Sequence, residues 1–169
     1  MKDSAPLLGA KLLPHAPGPF HLSRPRLHER LPRFGEGRAT VVLAGPGYGK
    51  TSLIARFLQE PGFDSVWLSL DPSDRDPWLL FRYLIRGLRE HVAEFGARTE
   101  ALWEDLRLRS QDVEPLCDVF ISDAEESLGG RFVLVLDEVE ALHGSEPCTR
   151  ALRRLLTYLP GTLHLVLIG

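Results

Sequence analysis

The sequence predicts an α/β fold, a three-layer sandwich in which a parallel sheet lies between helices, and three observations predict it. Short, nearly all-apolar runs of strand length alternate with longer segments whose apolar residues recur at helical spacing, the pattern of repeated βαβ units. The run Val41-Val42-Leu43 breaks into Ala44-Gly45-Pro46-Gly47-Tyr48-Gly49-Lys50-Thr51-Ser52, which reads as a buried strand, a glycine-rich loop and a helix start. The run Phe132-Val133-Leu134-Val135-Leu136 ends abruptly in Asp137-Glu138, as a strand buried on both faces does when it emerges from a parallel sheet.

Taken in order, residues 1 to about 20 hold Pro6, Pro14, Pro17 and Pro19, which exclude a long helix or a central strand and leave an extended arm. Ser23 is an N-cap for a short helix, with Leu27 and Leu31 one turn apart and an end near Pro32. The first core strand covers about Ala39 to Leu43. The helix after the glycine loop carries Leu53, Ile54, Phe57 and Leu58 on one face, and Pro61-Gly62 stop it. Ser65 to Leu70 is a second strand. Asp76-Pro77 starts a helix, cap followed by proline, and Trp78, Phe81, Leu84, Ile85, Leu88, Val92 and Phe95 continue its apolar stripe. Arg82, Arg86 and Arg89 share another face, read as solvated, with contact to a partner domain as the alternative. A weaker helical pattern spans Thr99 to Arg107. A clearer amphipathic helix runs from Val113 to Leu128, ended by Gly129-Gly130, and after the Arg131–Glu138 strand a helix spans Glu146 to Leu159. Leu163 to Ile168 is the last strand. Domain organisation is therefore an N-terminal arm with its short helix, 1–38, followed by a core, 39–169.

The glycine loop carries chemistry because each residue type has a physical task. Gly45, Gly47 and Gly49 lack a Cβ, so successive backbone N–H groups can turn toward phosphate oxygens. The Lys50 ammonium would meet the β- and γ-phosphates, and the helix beginning there points its positive end at the same anion. The Thr51 hydroxyl offers a place to Mg²⁺. The spacing is A-x-x-x-x-G-K-T, with Ala44 where the stricter form has glycine. At an average glycine usage of about 7%, a chance match arises in on the order of one per cent of chains this long; a strand before, a helix after and an acid downstream lower that further. The fold expected is that of a P-loop NTPase, with strand order 1-4-3-2 because such proteins with a separate acid-bearing strand insert one strand between it and the loop strand. Asp137 would hold Mg²⁺ beside Thr51 through its water shell, and Glu138 is placed to polarise an attacking water, with Lys50 and Glu138 as the catalytic pair.

Composition excludes other classes. The chain has 169 residues, 44% hydrophobic and 25% charged, enough for one sizeable core. Its formal charge of −3 is uneven: the first forty residues carry seven Lys/Arg and three Asp/Glu, net +4, which leaves −7 for the rest. An acidic body argues against direct contact with DNA by this segment. Cys117 and Cys148 lie in apolar helical patterns without ligand spacing and read as small buried hydrophobes in a reducing compartment. No apolar run spans a bilayer and no signal-peptide core opens the chain, so a cytoplasmic protein without membrane contact is expected.

The order Lys11-Leu12, Leu22-Ser23-Arg24-Pro25-Arg26-Leu27, Ala44 to Thr51, Trp67-Leu68-Ser69-Leu70-Asp71 with Asp74 and Asp76-Pro77, Phe81-Arg82-Tyr83-Leu84, and Leu134 to Asp137 resembles the nucleotide-binding domain of signal-transduction ATPases with numerous domains (STAND). Within them it is most similar to large ATP-dependent bacterial transcription activators of the maltose-regulator type, whose other end carries a LuxR-type helix-turn-helix. The resemblance covers most of the chain, and the Trp67–Leu84 block is its specific part. It implies an ATP/ADP switch, inactive with ADP, self-associating with ATP and reset by slow hydrolysis. It also implies that Leu22 and Arg24 lie over the adenine. Two positions depart: Glu140 stands where relatives tend to have histidine, and Glu138 where they have a second aspartate. The arginine that follows the last strand in relatives, the helical lid, the repeat sensor and the DNA-binding module lie beyond Gly169, so a fragment or a shortened member, lacking a fifth strand and hydrolysing poorly, is expected. The competing functions are a small-molecule kinase on the same loop, for which no arginine-rich lid is evident between Leu70 and Arg131, and a module that holds nucleotide without turnover and serves to oligomerise.

Overall fold

A computed structural model describes residues 6–14, 37–59, 64–109 and 112–169, the side chains of 107–109 excepted. Four strands, β1 (Ala39–Val42), β2 (Asp64–Ser69), β3 (Phe132–Asp137) and β4 (Leu163–Ile168), form one sheet of order β1-β4-β3-β2. All three pairings are parallel. This is the expected order: β4 separates the loop strand from the acid strand, and β1 is an edge. The helices are α1 (Lys50–Phe57), α2 (Pro77–Arg89), α3 (Ala97–Arg109), α4 (Glu114–Ser127) and α5 (Glu146–Tyr158).

The period of two along each strand divides the apolar residues between two faces. Trp67, Val133, Val135, Val166 and Ile168 pack with Ile54 and Ala55 of α1 on one face. Val66, Leu68, Leu134, Leu136, Leu165 and Leu167 belong to the larger core on the other, with Leu84 and Leu88 of α2, Phe120 of α4 and Leu155 of α5. Three layers result. β3 and β4 are buried at every residue, which is why their sequences are continuous apolar runs rather than alternating ones.

Local signals start the helices. The Asp76 side chain accepts from Trp78 N at 3.0 Å with Pro77 behind it, and Ser145 Oγ accepts from Cys148 N at 3.3 Å to open α5. The α2 stripe was expected to reach Phe95, but the helix ends at Arg89. A turn follows in which Arg89 Nε donates to Phe95 O at 2.8 Å and Gly96 takes φ +75°. Phe95 nevertheless reaches the core, edge-on to Phe120 at 5.4 Å; a turn that returns the ring to the same side satisfies the burial that the periodicity signals. Arg89 also forms a two-pronged pair with Glu100 at 2.6 and 3.0 Å, so it ties α2 to α3 rather than standing in a solvated row. Both cysteines are free and buried, and burial pushes the Cys117 thiol up to about 12.

The N-terminal segment docks against β2. After a 3-10 turn, Gly9–Leu12, the Lys11 ammonium lies 2.6 Å from Asp74 and 2.8 Å from Asp71. Leu8 N donates to the Tyr83 hydroxyl at 3.1 Å, and Lys11 sits over the Tyr83 ring. Asp71 and Asp74 form a capping box on the 3-10 turn Pro72–Arg75. The hydrogen bond from Lys11, helped by those from Ser73, holds the Asp71 carboxyl down at about 2. The segment thereby covers one edge of the sheet, while at the other edge Val41 and Leu43 are 57% and 72% exposed. The short helix expected around Ser23 to Pro32 lies outside the described residues.

Candidate nucleotide site

Parallel strands end on the same side of their sheet, so the loop after β1, the end of β4 and the acids after β3 meet at one edge. Gly169, immediately after β4, joins them: its N–H donates to Val42 O at 3.1 Å and its carbonyl accepts from Ala44 N at 3.3 Å. The result is a cleft of about 430 Å³ between the glycine loop on one wall and Asp137, Glu138 and Glu140 on the other.

The loop reaches its shape through glycine. Gly47 has φ +77° and Gly49 φ +73°, Gly49 being the N-cap of α1, a region that side chains other than glycine rarely adopt. Among the described residues no side chain caps α1, so the N–H groups of its first turn, which a helix leaves without internal partners, remain donors at the cleft wall. Lys50 Nζ donates to Ala44 O at 2.6 Å and Gly45 O at 3.2 Å, curled over the loop. Those carbonyls lie on the same wall, so the ammonium is already at the mouth where an anion would enter.

The acid wall is built differently. Asp137 closes β3, is 3% exposed, and its Oδ1 accepts from Glu138 N at 3.1 Å. Glu138 itself is left-handed, φ 61° and ψ 46°, and starts the 3-10 turn Val139–Leu142. It is the single described residue other than glycine with positive φ. The turn throws the chain sideways off the strand, so that successive acids, one buried and one exposed, face the same cleft. Backbone strain of this kind persists where the surroundings over-determine it.

Of the residues singled out in the sequence, Ala44, Pro46, Gly47, Gly49, Lys50, Thr51, Ser52, Asp137 and Glu138 line this cleft. Gly45 and Tyr48 complete the loop without lining it; a Cβ at Gly45 would stand 3.4 Å from the Tyr48 ring, which is exposed. Leu22 and Arg24 lie outside the described residues. Glu140 and Gly169 line the cleft as well; the sequence marked Glu140 only as a departure from the histidine of relatives and gave Gly169 no role. Gly169 is recognisable as the residue that follows the last apolar run, and a Cβ there would meet Val139 at 3.1 Å and Glu140 Oε2 at 3.2 Å.

The donor set fits a nucleotide polyphosphate with Mg²⁺: a hydroxyl and a buried carboxylate for a hard cation, a lysine and open helix N–H groups for phosphate. Among the described residues there is no separate cluster of His, Cys, Asp and Glu of the kind that holds a metal by protein ligands alone. Mg²⁺ as a cofactor bound largely through waters and phosphate needs none.

A family model described as AAA domain matches residues 33–169. The chain belongs to that family. Its sequence is similar to the HTH-type transcriptional regulator MalT of Vibrio cholerae, 28% identical over 152 residues, and to those of Yersinia enterocolitica, 28% over 146, and Serratia proteamaculans, 31% over 148. These alignments cover 86 to 89% of this chain but 16% of each regulator, so the chain spans about a sixth of the length of the curated relatives it matches. The α/β fold of a P-loop NTPase, expected from the glycine loop and the strand order, is borne out, and the similarity to regulators named MalT accords with the resemblance that the Trp67–Leu84 block carries. No helix among the described residues is long and apolar enough to cross a membrane.

Proposed function

We propose that this chain is the ATP/ADP-binding switch module of a signal-transduction ATPase that regulates transcription, with slow Mg²⁺-dependent hydrolysis. The observation that carries the reading is the convergence of Lys50, Thr51, Asp137 and Glu138 on one cleft. Lys50 and the N–H groups opening α1 bind the β- and γ-phosphates, Thr51 and Asp137 hold Mg²⁺, and Glu138 orients the attacking water. The cation, once bound, neutralises charge on the phosphates. Leu22 and Arg24 are assigned to the adenine through the family resemblance.

Similarity to regulators named MalT supports a place in transcription control, with ATP-driven self-association as the output in a longer protein. The acidic core, net −7 after the first forty residues, supports the view that DNA is met elsewhere than on this segment, and the setting is cytoplasmic. The test is a titration with ATP and with ADP, following phosphate release and sedimentation together. A switch module binds both nucleotides, releases phosphate slowly and changes its association with the nucleotide. Phosphate transferred to a small acceptor would instead indicate a kinase, and association with no phosphate release a non-hydrolysing module.

A further inference from the structure

The 3-10 turn Pro72–Arg75 touches two parts of the molecule at once. On one side it receives Lys11, whose ammonium bridges Asp71 and Asp74. On the other, Arg75 Nε donates to Ala141 O at 2.9 Å and Ser145 Oγ donates to Arg75 O at 2.7 Å. Ala141 and Ser145 lie in and just after the turn that begins at Glu138.

We infer that Lys11 is a positioning residue for Glu138: by pinning the N-terminal segment to the Pro72–Arg75 turn, it fixes, through Arg75 and Ala141, the segment that carries the cleft's exposed acids. The inference rests on the reading of Glu138 as the water-orienting carboxylate.

Asp74 is the pivot. It is fully buried; its Oδ2 accepts from Lys11 at 2.6 Å and from Asp71 N at 2.8 Å, and its Oδ1 has no hydrogen-bond partner among the described residues. A buried carboxylate stripped of its counter-charge is strongly unfavourable, so the turn holds this shape with the segment docked. The Asp74 and Arg75 carbonyls also receive the Cys148 thiol, at 3.6 and 3.3 Å, which locks the turn to α5. Undocking the segment therefore loosens the grip of Arg75 on Ala141, and the left-handed Glu138 loses one of the contacts that over-determine it.

The test separates a tether from simple stabilisation. Lys11→Met with Asp74→Asn removes both charges together, leaving no buried ion but no tether. Hydrogen exchange is read at the amides of Ala141 and His143, bonded to Glu138 O and Glu140 O. Exchange there should rise about tenfold or more while β3 and β4 amides hold. Saturated Mg-ATP turnover should fall about tenfold with KM nearly unchanged, the signature of a displaced reacting group. Arg75→Ala, which cuts the link without disturbing a buried charge, should reproduce the exchange pattern even if the double variant folds poorly. Lys11→Arg should retain wild-type exchange. Unchanged exchange at Ala141 in the Arg75→Ala protein, or turnover unaffected by faster exchange, overturns the inference. If the unmodified chain binds no ATP, the nucleotide reading fails while the exchange measurement still decides the tether.

Discussion

The Lys50 ammonium spends its hydrogen bonds on the carbonyls of Ala44 and Gly45, weaker partners than the phosphate oxygens it would exchange them for. A charge-assisted hydrogen bond contributes about 1.5–3 kcal/mol, so Lys50→Ala should weaken ATP binding by about 10- to 100-fold in an equilibrium titration. In the proposed role Asp137 would act through the metal: Asp137→Ala should leave metal-free binding close to wild type and remove the increment that Mg²⁺ adds. Glu138 invites a different test because its backbone and its side chain have opposite interests. Asparagine is several-fold enriched in the left-handed region that Glu138 occupies, a preference worth about 0.5–1 kcal/mol. Glu138→Asn should therefore unfold at higher urea while ATP turnover falls, an opposition that a purely structural Glu138 would not produce.

At the scale of elements, α2 lies close against β2 at Gly87. A Cβ on Gly87 would stand 2.2 Å from Val66 Cγ1, whereas alanine at an open helical position would add up to about 1 kcal/mol of stability. Val66 is β-branched and buried in a strand, so it cannot swing aside, and Gly87→Ala should destabilise by about 1–3 kcal/mol in urea unfolding. The His164 side chain adds a link between β4 and the start of β1 to their backbone pairing. Its Nδ1 faces the Gly37 carbonyl at 2.8 Å and must carry the proton, so Nε2 accepts from the Thr40 hydroxyl at 2.9 Å. Burial lowers its pKa below the ordinary 6.5. Below that value the unfolded chain takes up the proton first, so stability from His164 is full above it and declines as pH falls toward the depressed folded value. Urea midpoints should drop with acidification from that point, and more steeply than in His164→Gln. The strands and helices were legible in the sequence because burial on two faces writes continuous apolar runs and burial on one writes a 3.6-residue period. The end of α2 was not, since Phe95 falls in register with the helix whether the chain reaches it by another turn of helix or by the Arg89-stapled turn. Nor was the docking of Lys11, because an ion pair spanning 63 residues has no local period; the family resemblance marked the residue without saying what it touches.

The whole molecule ties its site to its stability. The glycine loop, Gly169 and Asp137 hang from three adjacent strands, β1, β4 and β3, and Ala44 and Gly169 are bonded to one another across the first two. A ligand that bridges Lys50 to Asp137 therefore joins strands that must separate when the protein unfolds, and its binding energy adds to the global unfolding free energy. The site was legible to the same extent that it is local: loop, lysine and hydroxyl lie within nine consecutive residues, 44–52, while the acids were placed by the sheet order and Glu140 only by the fold. With nucleotide at 100 times its dissociation constant the added stability is about 2.7 kcal/mol. For a domain of this size each kcal/mol moves the midpoint by about 2–4 °C. Mg-ATP should thus raise the melting temperature by about 5–10 °C, followed by circular dichroism at fixed protein concentration. Lys50→Ala should lose most of that shift at the same nucleotide concentration, whereas Gly87→Ala should melt lower yet keep a shift of the same size, since its clash lies in the core and not in the cleft. An undiminished shift in Lys50→Ala would remove the phosphates from the glycine loop.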